Sequence, residues 1–158
     1  MGPHDRQRRQ FLASGLAIGA ALAMPGAAEA ADEPKTASAP GRGRLTFHGI
    51  DTHNGATIGT LRVDLSRFEG GQYVLIKTFE TVKNGRSDGP LLQGDELKIG
   101  RYELLLHVED YFTKVGTKLP TPNFLGKIPV RFNIHADNQA FHIPVLFSPW
   151  SYSYYRGS

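Results

Sequence analysis

The chain has 158 residues, with 18 Lys and Arg against 15 Asp and Glu and a formal net charge of +3 at pH 7. That surplus is too small and too scattered for a nucleic-acid-binding stripe, and the length bounds the chain to one domain. With no cysteine, it has no disulfide, no thiolate nucleophile and no Cys-based zinc site.

The first thirty residues read as a targeting segment. Arg8-Arg9 precedes Gln10-Phe11-Leu12, the arrangement of a twin-arginine export signal. The apolar run from Leu12 to Met24 is about 13 residues, short of the ~20 that span a bilayer. It therefore predicts a cleaved signal and no stable membrane anchor. Ala28-Glu29-Ala30 supplies the small-x-small pattern that a signal peptidase needs, placing the cut before Ala31 and the mature protein in the periplasm. Removing 30 residues takes away three arginines and two carboxylates, leaving 128 residues with a net charge of +2, enough for one core. Residues 31–44, rich in Ala, Pro, Gly, Lys and Ser without an apolar period, read as a flexible linker. The folded domain is expected over 45–158.

From Leu45 onward the hydrophobic period is two. In the first run Leu45 and Phe47 share one face, Thr46 and His48 the other. Leu61, Val63 and Leu65 then alternate with Arg62, Asp64 and Ser66, as on a half-buried strand. Tyr73 to Phe79 and Tyr102 to Val108 are two further strand-like runs. Val130, Phe132 and Ile134 repeat the alternation, as do Phe141, Ile143, Val145 and Phe147. Asn54-Gly55, Gly70-Gly71, Asn84-Gly85, Gly94-Asp95, Gly100 and Asp137-Asn138 punctuate the runs. Seven or eight short strands predict an all-β sandwich. One short helix fits Glu109 to Gly116, stopped by Pro120 and Pro122.

The phase of the alternation places His48 and His142 on outward faces, with Pro144 and Leu146 beside the second. Pro144 lacks an N–H, which predicts a strand at a sheet edge or with its free side toward another subunit. Asp51 reads as the start of the turn through Asn54-Gly55.

The C-terminal run from Phe141 through His142, Pro144, Ser148-Pro149-Trp150 and Tyr152 to Tyr155-Arg156-Gly157-Ser158 resembles the signature of 5-hydroxyisourate hydrolases in the transthyretin-like family. Leu45-Thr46-Phe47-His48-Gly49-Ile50-Asp51-Thr52 resembles the family's first strand, and Asn84-Gly85-Arg86-Ser87-Asp88-Gly89-Pro90-Leu91-Leu92 its Asn/Asp-Gly-Arg segment. Gly100-Arg101-Tyr102, Tyr111-Phe112, Phe124-Leu125 and Pro129-Val130-Arg131-Phe132 fall between them in the family's order. Gly49-Ile50 departs from the family's usual Val-Leu, and His53 stands where a small residue is common.

The resemblance implies a transthyretin-like (prealbumin-like) sandwich assembled as a homotetramer, a dimer of dimers. It also implies an enzyme that hydrolyses 5-hydroxyisourate to 2-oxo-4-hydroxy-4-carboxy-5-ureidoimidazoline in urate breakdown, with no cofactor and no metal. The alternative it leaves open is a transthyretin-like carrier that binds a small molecule without turnover. Catalytic roles carry over to His48, Arg86, His142 and Ser158, and substrate binding to His48, Arg86 and Tyr155. Such residues suit the reaction. Imidazole exchanges protons near neutral pH, and guanidinium holds a rigid fork of donors for a developing oxyanion. Which histidine is the base stays open, as does a zinc site formed by His48, His53 and His142. Gly157 is expected to use backbone angles closed to other residues to fold the terminus toward the site. Arg156 is expected to pair with a carboxylate or with a neighbouring subunit's terminus.

Overall fold

The structure is a computed structural model that describes residues 43–56 and 59–157. The residues expected to form an export signal and a linker, up to residue 42, and Ser158 lie outside the described residues.

Two four-stranded sheets face each other. The first contains β1 (Arg44–Asp51), β4 (Leu92–Gln93), β7 (Ala140–Phe147) and β8 (Tyr152–Tyr154), in the order β4-β1-β7-β8. The second contains β2 (Arg62–Glu69), β3 (Gln72–Glu80), β5 (Gly100–Leu106) and β6 (Ile128–Ile134), in the order β3-β2-β5-β6. The single α-helix among the described residues, α1 (Val108–Lys114), follows β5 directly. It opens one residue before the expected start. It ends at Lys114, with Val115 as its C-cap, and Gly116 beyond it takes a φ of 76°, a left-handed conformation that cannot continue a helix.

The alternation read from sequence becomes the core. Leu45 and Phe47 of β1, Val63 and Leu65 of β2, and Leu104 and Leu106 of β5 turn inward, with Val130 of β6 and Phe141, Ile143, Val145 and Phe147 of β7; all are at most 3% exposed. Tyr111 and Phe112 of α1 pack their rings against Phe147, with centroids 5.3 and 5.8 Å away. Each such ring contributes on the order of 2 kcal/mol by leaving water. Gly49 faces this packed region. A Cβ there would stand 3.1 Å from Leu61 Cδ2 and 3.3 Å from Phe47 Cε1, so neighbouring side chains already crowd the space that a larger residue would need.

Asp51 is the buried carboxylate at the end of β1. It accepts the His53 and Asn54 amides at 2.8 and 3.1 Å, Asn54 Nδ2 at 2.7 Å and the Tyr111 hydroxyl at 3.0 Å. It organises the turn, as its position before Asn54-Gly55 predicts.

Pro144 overturns one expectation. Its strand, β7, is interior, between parallel β1 and antiparallel β8. The missing donor is tolerated because it faces the C-terminal segment at Tyr155, just past the end of β8. There the opposed pair keeps one of its two bonds, from Tyr155 N–H to Pro144 O at 3.3 Å.

Candidate active site

The outer face of the first sheet carries both predicted histidines. Arg44, Thr46, His48 and Ile50 of β1 are half-buried there, as are His142 and Leu146 of β7. β1 and β7 run parallel, with Thr46 opposite His142 and His48 opposite Pro144. Side chains opposed in register share a face, so the imidazoles of His48 and His142 converge. Their centroids lie 6.3 Å apart with the planes tilted by 32°.

Arg86 reaches this face because its loop is stitched to the edge of β1. Gly85 takes a φ of 75°, a conformation that favours glycine. Its amide bonds Val82 O at 2.8 Å, and its carbonyl accepts the Gly49 amide at 2.8 Å. Asn84 Oδ1 accepts the Arg86 amide at 3.1 Å, closing an Asx turn. Arg86 then pairs with His48 as an isolated antiparallel bridge.

The C-terminal segment completes the other side. Beyond β8 the chain continues along β7, and the Gly157 amide bonds His142 O at 2.8 Å. Two rows of residues therefore cross the sheet. One runs Arg86, His48, Pro144, Tyr155, and the next runs Thr46, His142, Gly157. Arg86 and Tyr155 are exposed at the two ends of the first row.

Burial lowers the pKa of both imidazoles, and the positive charge of Arg86 adds to the effect. For His48, a hydrogen bond with the Asn84 main chain offsets part of the drop. For His142, the charges of His48 and Arg44 lower it further. Both rings are therefore neutral at neutral pH and free to accept a proton, beside a guanidinium that stays charged. That combination can activate water and stabilise an oxyanion at one place.

His48, Arg86, His142 and Tyr155 thus come together on one face, while Ser158 lies outside the described residues. His53 does not join them. Its ring packs edge-on against Phe112, 6.0 Å away, and among the described residues no three His, Cys, Asp or Glu side chains converge as a metal-holding group.

Gly157 differs from expectation, and Arg156 makes its contacts within the chain to groups other than a carboxylate. Arg156 lies over the Phe141 ring, 5.1 Å from its centroid, and donates to Gln139 Oε1 at 3.4 Å, with no carboxylate partner among the described residues. Gly157 has no positive φ. Glycine is needed there for space, since a Cβ would stand 2.8 Å from His142 Cδ2.

Thr46 is the neighbour that sequence reasoning missed. Its hydroxyl lies 2.8 Å from His142 Nδ1 and 3.4 Å from Phe141 O. Its shared face with His48 was legible, but the strand pairing that brings it to His142, 96 residues away, was not.

Residues 45–157 match the model of the HIUase/Transthyretin family. Among curated proteins, 5-hydroxyisourate hydrolase 2 of Rhizobium meliloti is 47% identical over 116 residues, covering 73% of this chain and 97% of that protein. Among solved structures, Klebsiella pneumoniae 5-hydroxyisourate hydrolase matches at a TM-score of 0.57 and 28% identity, over 73% of this chain and 99% of that one. An (S)-allantoin synthase matches at a TM-score of 0.71 and 39% identity over 75% of this chain, which spans 44% of that longer protein. With the match running from the first core strand to the residue that abuts His142, the chain belongs to the HIUase/Transthyretin family.

Proposed function

We propose that this chain hydrolyses 5-hydroxyisourate, opening its six-membered ring. The observation that carries the reading is the convergence of two imidazoles, both held neutral, beside the Arg86 guanidinium. The reaction adds water across an acyl carbon–nitrogen bond. The water oxygen bonds to the carbon while an imidazole of the His48–His142 pair takes its proton. Arg86 offsets the charge that develops on the carbonyl oxygen. The carbon–nitrogen bond then breaks, and the nitrogen leaves with a proton from an imidazole. Tyr155 lines the far end of the row and binds the planar substrate. Ser158, which follows Gly157 directly, orients a histidine or the water through its hydroxyl or its carboxylate. No cofactor enters this scheme.

The carrier alternative leaves the neutral imidazole pair and its guanidinium without a task. The test generates 5-hydroxyisourate in situ with urate oxidase and follows its ultraviolet absorbance. Purified protein must accelerate the decay; no acceleration ends the reading.

Two further readings belong to the same proposal. The half-buried outer face and the exposed Arg86 and Tyr155 support a homotetramer, a dimer of dimers, that encloses the site between subunits with closed symmetry. An active monomer in light scattering at assay concentration would refute it. Arg8-Arg9 and Ala28-Glu29-Ala30 support export by the twin-arginine route to the periplasm. Activity confined to the cytoplasmic fraction would refute that.

A further inference from the structure

The His142 ring is held on both edges. Its Cδ2 edge meets Gly157, where a single added carbon would stand 2.8 Å away. Its Nδ1 edge meets Thr46 Oγ1 at 2.8 Å. With those two edges taken by the strands on either side, the Cε1–Nε2 end of the ring points off the sheet. Nε2 is therefore the nitrogen offered to substrate or water.

A hydroxyl has one proton and two lone pairs. If Thr46 donates to Nδ1, the ring must carry its proton on Nε2, where it cannot act as a base. If Thr46 donates to Phe141 O, 3.4 Å away, its lone pair accepts Nδ1–H and Nε2 is left bare. The second arrangement makes two hydrogen bonds where the first makes one. It also survives protonation, because the imidazolium keeps the same Nδ1–H donor when Nε2 gains a proton. A ring so held can accept and return a proton at Nε2 without any neighbour moving.

We propose that Thr46 is a positioning residue that holds His142 in its Nδ1–H tautomer, leaving Nε2 as the nitrogen that exchanges a proton with the reacting water. The step it serves belongs to the hydrolysis proposed above, and the inference rests on that reading for its functional meaning. Among the described residues, the charged and titratable groups that face His142 are Arg44 and His48 from β1 and Arg86 from the loop at its edge. The C-terminal segment brings Gly157, which has no side chain, against the ring. All three of these groups are cationic or neutral, so among the described residues no carboxylate competes with Thr46 for Nδ1–H.

The test uses the full-length protein with 15N-labelled histidine. Long-range proton–nitrogen correlation reads the His142 tautomer without substrate, with His142→Asn identifying its signals. The wild type should show Nδ1–H, and Thr46→Ser should keep it. Thr46→Val should lose that preference. It should also lower kcat for hydroxyisourate about 10- to 100-fold, the scale of lost orientation of a functional imidazole, with KM little changed. Losing an acceptor for Nδ1–H destabilises the imidazolium, so the acid limb of its pH profile should move to lower pH. Thr46→Ser should recover most of the rate.

A wild-type Nε2–H tautomer overturns the proposal, even if Thr46→Val does not fold. So does a Thr46→Val protein whose tautomer is unchanged, or whose acid limb moves to higher pH. Absence of hydrolysis in the wild type would refute the proposed function instead, and the tautomer would still decide the role of Thr46.

Discussion

Replacing Gly157 with alanine tests whether the C-terminal segment shapes the site or merely ends the chain. The new Cβ would stand 2.8 Å from His142 Cδ2, 3.3 Å from His142 Cβ and 3.4 Å from His142 Cγ. Carbon atoms in favourable contact lie about 3.5–4.0 Å apart, so ring and tail must separate by roughly 0.7 Å or more. The ring cannot retreat toward β1, because Thr46 already stands 2.8 Å from its other edge. The tail must therefore peel away, losing the Gly157 N–H bond to His142 O, or the ring must twist off Thr46. Peeling one backbone bond from a chain end costs about 1 kcal/mol, which lowers the melting temperature of a domain of this size by about 3–5 °C. Displacing a reacting group by about 1 Å can cost on the order of 100-fold in rate. Since Gly157 has no positive φ, alanine brings no backbone strain there and the contact alone is tested. We expect kcat/KM for hydroxyisourate to fall about 10- to 100-fold, while a thermal melt by circular dichroism stays cooperative and moves down by no more than about 5 °C. Undiminished kcat/KM would refute the reasoning.

Four more outcomes follow from the same geometry. Because burial and Arg86 hold both imidazoles below the ordinary histidine value of about 6.5, the acid limb of kcat/KM should lie below about pH 6.5; a limb above pH 7 would contradict it. The same lowering makes the unfolded chain take up these protons first, so their contribution to stability is present above about pH 6.5 and is lost as pH falls toward the folded pKa values, measurable as a melting temperature that drops through that window. Arg86→Lys should lose most of its activity, since a point charge cannot reproduce a planar fork of donors, and near-full activity would demote Arg86 to a loop cation. Deleting residues 155–158 should abolish hydrolysis while the core strands, which end at Phe147, keep the melt nearly intact, and full activity in the truncated protein would remove Tyr155 and Ser158 from the mechanism.

Much of this molecule was legible in the order of its residues. Period-two alternation turned Leu45 and Phe47 inward and His48 outward, and did the same for Phe141, Ile143 and His142, because successive side chains on any strand point to opposite faces. Asp51 and Asn84-Gly85 announced their turns through short-range hydrogen bonds, which depend only on neighbours a few residues away. Strand pairing was not legible, because alternation sets a face but not a neighbour. Only the packed sheet set β7 parallel to β1 and made Pro144 interior. The same register placed Thr46 against His142, across 96 residues of sequence. Gly157 shows the difference at one atom. From sequence it reads as a residue chosen for backbone freedom, yet its backbone angles are open to other residues. The structure makes it a residue chosen for the space that the His142 ring occupies, and that close approach exists only once two distant segments lie side by side.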